Sequence, residues 1–167
     1  MILRDARAGD VPAILAIYAP QVLTSLATFE EVPPSEAEML GRFEGVRAAG
    51  LPYLVAEEAG TILGYAYATG WRARPAYRHT VEDSVYVAPT AQGRGVGTAL
   101  LSTLVRRCEA GPWRQMIAVI ARTGTGGSQA LHARCGFSVA GCLRGVGVKQ
   151  GREIDTVLMQ RALAAAD

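Results

Sequence analysis

Apolar positions along this chain follow two spacings, helical stripes and short extended runs, which replace one another from end to end. Met1-Ile2-Leu3-Arg4-Asp5 reads as a short opening strand. Asp10, with Pro12 in the next turn, starts a helix whose Val11, Ile14, Leu15 and Tyr18 share one face. Ser35-Glu36-Ala37-Glu38, preceded by Pro33-Pro34, is a capping-box pattern, and Met39, Leu40, Phe43 and Val46 form the stripe of a second helix behind it. Tyr53 to Glu57 and Ile62 to Tyr67 are extended runs joined at Ala59-Gly60, which predicts a hairpin. Trp71 to Arg78, rich in Arg and aromatic residues with a Pro in its middle, predicts a loop of the kind that often lines sites.

A strand over Glu82 to Val87 ends at Pro89, and a glycine turn at 93–97 opens a helix carrying Leu100, Leu101, Leu104, Val105 and Cys108 at helical spacing. The continuous apolar run Met116 to Ile120 predicts a strand covered on both faces. Ser128 to Cys135 predicts a short helix stopped by Gly136, and Val139 to Arg144 and Ile154 to Gln160 predict the closing strands. No internal repeat or low-complexity tract interrupts the pattern, and the Ala-rich tail after Arg161 is expected to fray. These elements describe a compact α/β domain.

Composition narrows the class without naming a function. The 167 residues fit a single domain, residues 1–167, and 50% apolar or aromatic against 19% charged content is that of an ordinary globular protein. A formal charge of +2 points to neither a nucleic-acid nor a membrane partner. The three cysteines, Cys108, Cys135 and Cys142, are odd in number and lack Cys-x-x-Cys spacing, so no disulfide framework or metal site is expected and a reduced, cytoplasmic location is. The N-terminus lacks the long apolar stretch of a signal peptide, and no run is long enough to span a bilayer.

The chemistry begins at Gln92-Gly93-Arg94-Gly95-Val96-Gly97. A glycine turn between strand and helix lets the backbone approach a ligand closely, and its N–H groups with the helix dipole favour an anion such as phosphate. The turn lacks the Gly-Lys-Ser/Thr ending of a triphosphate loop, and its last glycine comes one residue early for a dinucleotide fingerprint. Taken alone it leaves nucleotide binding, cofactor binding and a plain tight turn open.

Its context separates these readings. Val85-Tyr86-Val87-Ala88-Pro89-Thr90-Ala91-Gln92-Gly93-Arg94-Gly95-Val96-Gly97-Thr98-Ala99-Leu100-Leu101 resembles the acetyl-CoA motif of the GNAT superfamily, and with Gly136-Phe137 the resemblance covers about residues 2 to 160. Such a resemblance implies a GNAT fold: a central mixed, mostly antiparallel twisted sheet flanked by helices. It implies acetyl-CoA as cosubstrate and no metal. Val85, Tyr86 and Val87 would offer backbone groups to the pantetheine arm from a strand that splays from its neighbour, a form of strand addition. Residues 92–97 and Thr98 would hold the pyrophosphate.

Tyr77 to Val87, Gly70-Trp71-Arg72, Leu131-His132, Cys135-Gly136-Phe137 and Gly147 to Arg152 with Asp155 resemble more narrowly the phosphinothricin and methionine sulfoximine acetyltransferase branch. That branch acetylates the α-amine of small amino-acid analogues, and it assembles its pocket near a subunit contact, which implies a homodimer. An attacking amine must be neutral, so something must take its proton. Glu82 matches the branch's general base; on its position alone it would be a surface carboxylate paired with an arginine of the preceding loop. His132 stands where many GNAT enzymes carry a tyrosine that protonates the leaving thiolate. The resemblance implies an acid or second base there, against a plain alternative of a helix histidine bonding a carbonyl. Asp83 should point to the opposite face of the strand from Glu82, so the two are not read as a carboxylate pair.

Arg72, Arg74 and Arg78 cluster before the strand, and a guanidinium binds a carboxylate or phosphinate bidentately. Arg72 matches a substrate-contacting position of the branch, while Arg74 and Arg78 read equally as a solvated basic loop. Ser84 joins the substrate set, and Trp71 and Tyr77 either wall a pocket or anchor the loop. Two departures stand out. Thr125 takes the place of an asparagine that helps hold pantetheine or acetyl group together with Ser128, in a segment one residue longer than usual. Glu153 replaces the branch's aromatic after Gly-Arg. Rival readings are acetylation of another amine (polyamine, aminoglycoside or protein N-terminus) and a non-catalytic acetyl-CoA sensor.

Overall fold

A computed structural model describes residues 1–124 and 126–163. Strands β1 (Ile2–Asp5), β2 (Tyr53–Glu58), β3 (Thr61–Gly70), β4 (Thr80–Val87), β5 (Gln115–Ala121), β6 (Ser138–Lys149) and β7 (Arg152–Ala162) form a seven-stranded sheet in the order β1-β2-β3-β4-β5-β7-β6. Among the described residues only the β4–β5 pair is parallel. The helices are α1 (Val11–Thr24), α2 (Glu36–Ala48), α3 (Val96–Glu109) and α4 (Gly127–Arg134). None is long and apolar enough to cross a membrane.

Alternation along β4 assigns the helices to faces. Tyr86 meets Tyr18 of α1, ring centroids 5.0 Å apart. Asp83 and Val87 point the other way, toward His132 of α4 and Gly97 of α3. One core runs through both layers. In α3 the residues predicted to face inward, Leu100, Leu101, Leu104, Val105 and Cys108, are all buried. On the other face β2, β3 and β4 contribute a tyrosine row, with Tyr53 stacked on Tyr67 at 4.8 Å and Tyr65 on Tyr86 at 5.2 Å.

Local chemistry explains the boundaries. Ser35 Oγ accepts from the Glu38 N–H at 3.2 Å while the Glu38 carboxylate accepts from the Ser35 N–H at 2.6 Å, so α2 starts on the capping box. The β2–β3 turn puts Ala59 at φ 48° and Gly60 at φ 79°, both left-handed, as a two-residue hairpin turn requires. Asp10 does not cap α1 with its side chain. Its carboxylate instead accepts from the Arg7 N–H at 2.7 Å and from Arg4 at 2.7 and 2.8 Å.

Three expectations change. The two-sided burial expected of Met116 to Ile120 fails at Val119, which is 39% exposed, because α1 and α2 cover β2, β3 and β4 rather than β5. Strands β3, β6 and β7 outrun their apolar patterns, since backbone pairing continues through Gly70 and along the glycine-containing β6, where the register shifts between Leu143 and Gly147. The chain beyond Arg161 does not fray at once: Leu163 is buried and its N–H reaches the Arg114 carbonyl at 2.9 Å. The rest of that alanine tail, 164–167, lies outside the described residues.

Candidate active site

Strands β4 and β5 are paired only from Thr80 to Asp83, opposite Gln115 to Ala118. Beyond that point β3 keeps hold of β4 as far as Val87, and β7 keeps hold of β5 as far as Ala121, so the two strands part. The parting opens a cleft of about 1060 Å³, with Ser84 to Val87 on one wall and Val119 to Ala121 on the other. The unpaired edge of β4 is free to bond an extended, amide-containing guest.

At one end of the cleft stands the glycine turn. Gly93 and Gly95 have φ of 74° and 79°, where a side chain would be strained. The first α3 N–H bonded in the helical pattern is that of Ala99, which reaches the carbonyl of Gly95, the residue just before the helix, at 3.0 Å. The N–H groups of Val96, Gly97 and Thr98 precede it, at the positive end of the helix dipole. A Cβ on Gly97 would lie 3.3 Å from Leu131 and 3.6 Å from Val87, so this glycine lets α3, α4 and β4 converge. These features suit a phosphate-bearing ligand whose arm runs into the cleft. Gln92, Gly93, Gly95, Val96, Gly97 and Thr98 line it. Arg94 does not: its guanidinium is 2.6 Å from Glu58 Oε2 at the β2–β3 turn. Ser128 lines the cleft from α4, and Thr125 lies outside the described residues.

Glu82, Asp83 and His132 meet where the strands part, and all three line the cleft. Glu82 faces the α1 side, half-buried. Burial, and secondarily the charge of Asp83, push its carboxyl above the ordinary glutamate value. Asp83 faces α4 and is buried, with Oδ2 at 2.9 Å from His132 Nε2. His132 Nδ1 sits 2.7 Å from the Ser128 carbonyl. Burial pulls the imidazole down, but the hydrogen bond and charge of Asp83, helped by that carbonyl, outweigh it and leave it above its ordinary value. His132 thus bonds a carbonyl, as its plain reading expected, and also lines the cleft. Glu82 and Asp83 do take opposite faces.

Across the α1 face of the parted strands lies the segment after α1. Thr28 bonds the Tyr18 hydroxyl at 3.1 Å, and its carbonyl accepts from the buried Lys149 ammonium at 2.8 Å. Gln150 reaches Leu23 O at 3.3 Å, and the Phe29 ring lies against Gly147. The tip of the β6–β7 hairpin therefore holds residues 24–29 over the cleft, which Thr24, Thr28 and Phe29 line together with Gln150 and Arg152. Nothing local in the sequence marks Thr28 or Phe29 as cleft residues; the stretch Gly147 to Arg152 was the available signal.

The arginine cluster does not join them within one chain. Arg72 stacks on Trp71 with its guanidinium carbon 5.2 Å from the ring centre, and Arg78 donates to Pro75 O at 3.2 Å. Arg72, Arg74 and Arg78 are exposed and none lines the cleft. Ser84 does, two residues from Glu82 on the same face.

A mixed sheet parted beside a glycine turn and helix defines a domain suited to a long phosphate-bearing ligand. The sequence profile of the Acetyltransferase (GNAT) family matches residues 18–137, and the chain belongs to that family. It is thereby an acyltransferase. The phosphinothricin N-acetyltransferase of Alcaligenes faecalis is 60% identical over 165 residues, 99% of this chain and 84% of that protein. The L-methionine sulfoximine/L-methionine sulfone acetyltransferase of Pseudomonas paraeruginosa is 40% identical over 159 residues, 95% of this chain and 92% of its own length. Among solved structures, a GNAT superfamily phosphinothricin acetyltransferase from Sinorhizobium meliloti in complex with AcCoA superimposes with a TM-score of 0.93, at 52% identity, covering 98% of this chain and 88% of that one.

Proposed function

We propose that this protein, acting as one domain, transfers the acetyl group of acetyl-CoA to the α-amine of a small amino-acid analogue of the phosphinothricin, methionine sulfoximine or methionine sulfone type. The observation that carries the reading is Glu82, a desolvated carboxyl placed where β4 and β5 part, on the face roofed by residues 24–29. The cleft's β4 edge and the α3 N-terminus, both without backbone partners among the described residues, suit the pantetheine and pyrophosphate of the cosubstrate, which supplies an activated thioester. Glu82 takes a proton from the amine as it attacks. His132, on the opposite wall, supplies one to the departing sulfur.

Relatives named for phosphinothricin and methionine sulfoximine support the acceptor class. The exposed arginines 72, 74 and 78 meet an acceptor's acid group only if a second copy completes the pocket. Such a contact also explains Val139, Val146 and Val148 of β6, between 59% and 67% exposed, so we infer a homodimer. Three free thiols and a need for acetyl-CoA favour the cytoplasm.

The test is thiol release from acetyl-CoA with a panel of amines. Phosphinothricin, methionine sulfoximine and methionine sulfone should turn over with kcat/KM at least about tenfold above ordinary amino acids, a polyamine, an aminoglycoside and a peptide N-terminus. A best substrate in the last three groups would replace this acceptor assignment, and tight cofactor binding with no turnover would favour a sensor.

A further inference from the structure

We infer that Asp83 is a positioning residue that keeps His132 charged with a proton at the point where β4 and β5 part, ready for the departing thiolate. The inference rests on the acetyl-transfer reading above. His132 Nδ1 lies 2.7 Å from Ser128 O and 3.5 Å from the Ser128 hydroxyl; the shorter contact is to a carbonyl, which only accepts, and so favours a hydrogen on Nδ1. The other nitrogen, Nε2, is 2.9 Å from a carboxylate oxygen, and that contact also requires a proton between the two. The geometry therefore favours one proton more on the pair than a neutral imidazole beside a carboxylate would hold. Both side chains are buried, at 4% and 6% residue exposure, so water competes little for that proton.

The surroundings favour the same state. Asp83 Oδ1 is buried with no partner among the described residues, so His132 is the one group there that offsets the Asp83 charge through a hydrogen bond. From α3, the Cys108 thiol is pushed up to about 12, chiefly by burial and then by Asp83, and stays a neutral neighbour. Near this end of α4, Arg161 pairs with Glu109 at 3.0 Å and also donates to the Cys135 carbonyl, while Arg134 carries an exposed positive charge at the cleft. Phe137 closes the remaining side, its ring edge-on to the imidazole at 5.1 Å. Glu82 faces away across the strand, so the proton acceptor and the proton donor sit on opposite walls.

The protons balance. The amine nitrogen bonds the acetyl carbon, the carbon–sulfur bond breaks with its electron pair on sulfur, and Glu82 takes the amine's proton. The Asp83–His132 pair gives its proton to sulfur and regains one from water, while Glu82 releases one.

Asp83→Asn tests this because the amide is nearly isosteric: it can donate to an unprotonated Nε2 and hold the ring in place while withdrawing the reason for the extra proton. The chain has two histidines, His79 and His132, so imidazole NMR resonances are assigned by comparison with His132→Gln. We expect His132 to titrate at least about one pH unit lower in Asp83→Asn. The alkaline limb of kcat should move down with it, by about tenfold in rate at mildly alkaline pH, with KM for acetyl-CoA unchanged. In the His132→Gln background the same change should alter kcat by less than about twofold. An unshifted His132 titration in Asp83→Asn overturns the inference. If Asp83→Asn fails to fold, the wild-type titration decides alone: an imidazole at or below the ordinary histidine value also overturns it. If Glu82→Gln and His132→Gln both keep wild-type turnover, the acetyl-transfer assignment of those residues falls instead.

Discussion

At the scale of single residues, burial and alternation give neighbouring carboxylates different chemistry. Glu82 and Asp83 are adjacent in sequence, yet one lies half-buried on the face roofed by residues 24–29 and the other is buried against α4. Glu82→Gln should lower kcat by about 10²-fold while the acetyl-CoA dissociation constant, read by calorimetry, stays within about twofold. An equal loss of cofactor affinity would mean that Glu82 shapes the cleft rather than the reaction. The His132 pair also affects stability. Its imidazole lies above its unfolded value, so the contribution is complete below the ordinary histidine range and is lost as pH rises through the folded value. Urea unfolding of wild type and His132→Gln should therefore show a gap that is wider at mildly acid than at alkaline pH; a pH-independent gap would contradict the protonated pair. The sequence made Glu82 and His132 candidates through resemblance. It could not show the Asp83–His132 contact, which joins positions 49 apart. Nor does a run of arginines encode direction, which is why Arg72, Arg74 and Arg78 looked like pocket residues and are exposed outside it in the single chain.

At the scale of elements, the parts governed by local rules were the legible ones. The Ser35–Glu38 capping box, the Ala59-Gly60 turn and the apolar stripe of α3 depend on neighbours a few residues away. What escaped depends on tertiary cover: Val119 reads as core in a continuous apolar run but faces the cleft. The joint between glycine turn, α3 and α4 carries the sharpest consequence. Gly97→Val would press branched methyls into Leu131 and Val87, and should cost about 1–3 kcal/mol by urea unfolding while weakening acetyl-CoA more than the acceptor amine. Normal cofactor affinity in a destabilised Gly97→Val would detach the turn from phosphate binding.

At the scale of the whole molecule, one interrupted strand pair organises everything else. Sheet order places the parallel pair β4–β5 at the centre, and its early parting creates a cleft that the turn before α3, the start of α4 and the strapped segment 24–29 all border. The α/β class and helix order were legible because the periodicities alternate cleanly, and the mixed sheet through the resemblance; the depth of the parting was not, since it depends on where pairing stops. The bare β6 valines belong to this scale too. Val146→Glu with Val148→Glu should shift the protein from dimer to monomer by light scattering and, if the partner completes the pocket, raise KM for the acceptor; a wild-type monomer would remove that part of the account. The central claim, that Glu82 receives the acceptor's proton in an acetyl transfer, is tested most directly by kcat/KM against pH with methionine sulfoximine. Wild type should show an acid limb above the ordinary glutamate range that disappears in Glu82→Gln, and the same limb persisting in Glu82→Gln would contradict the account.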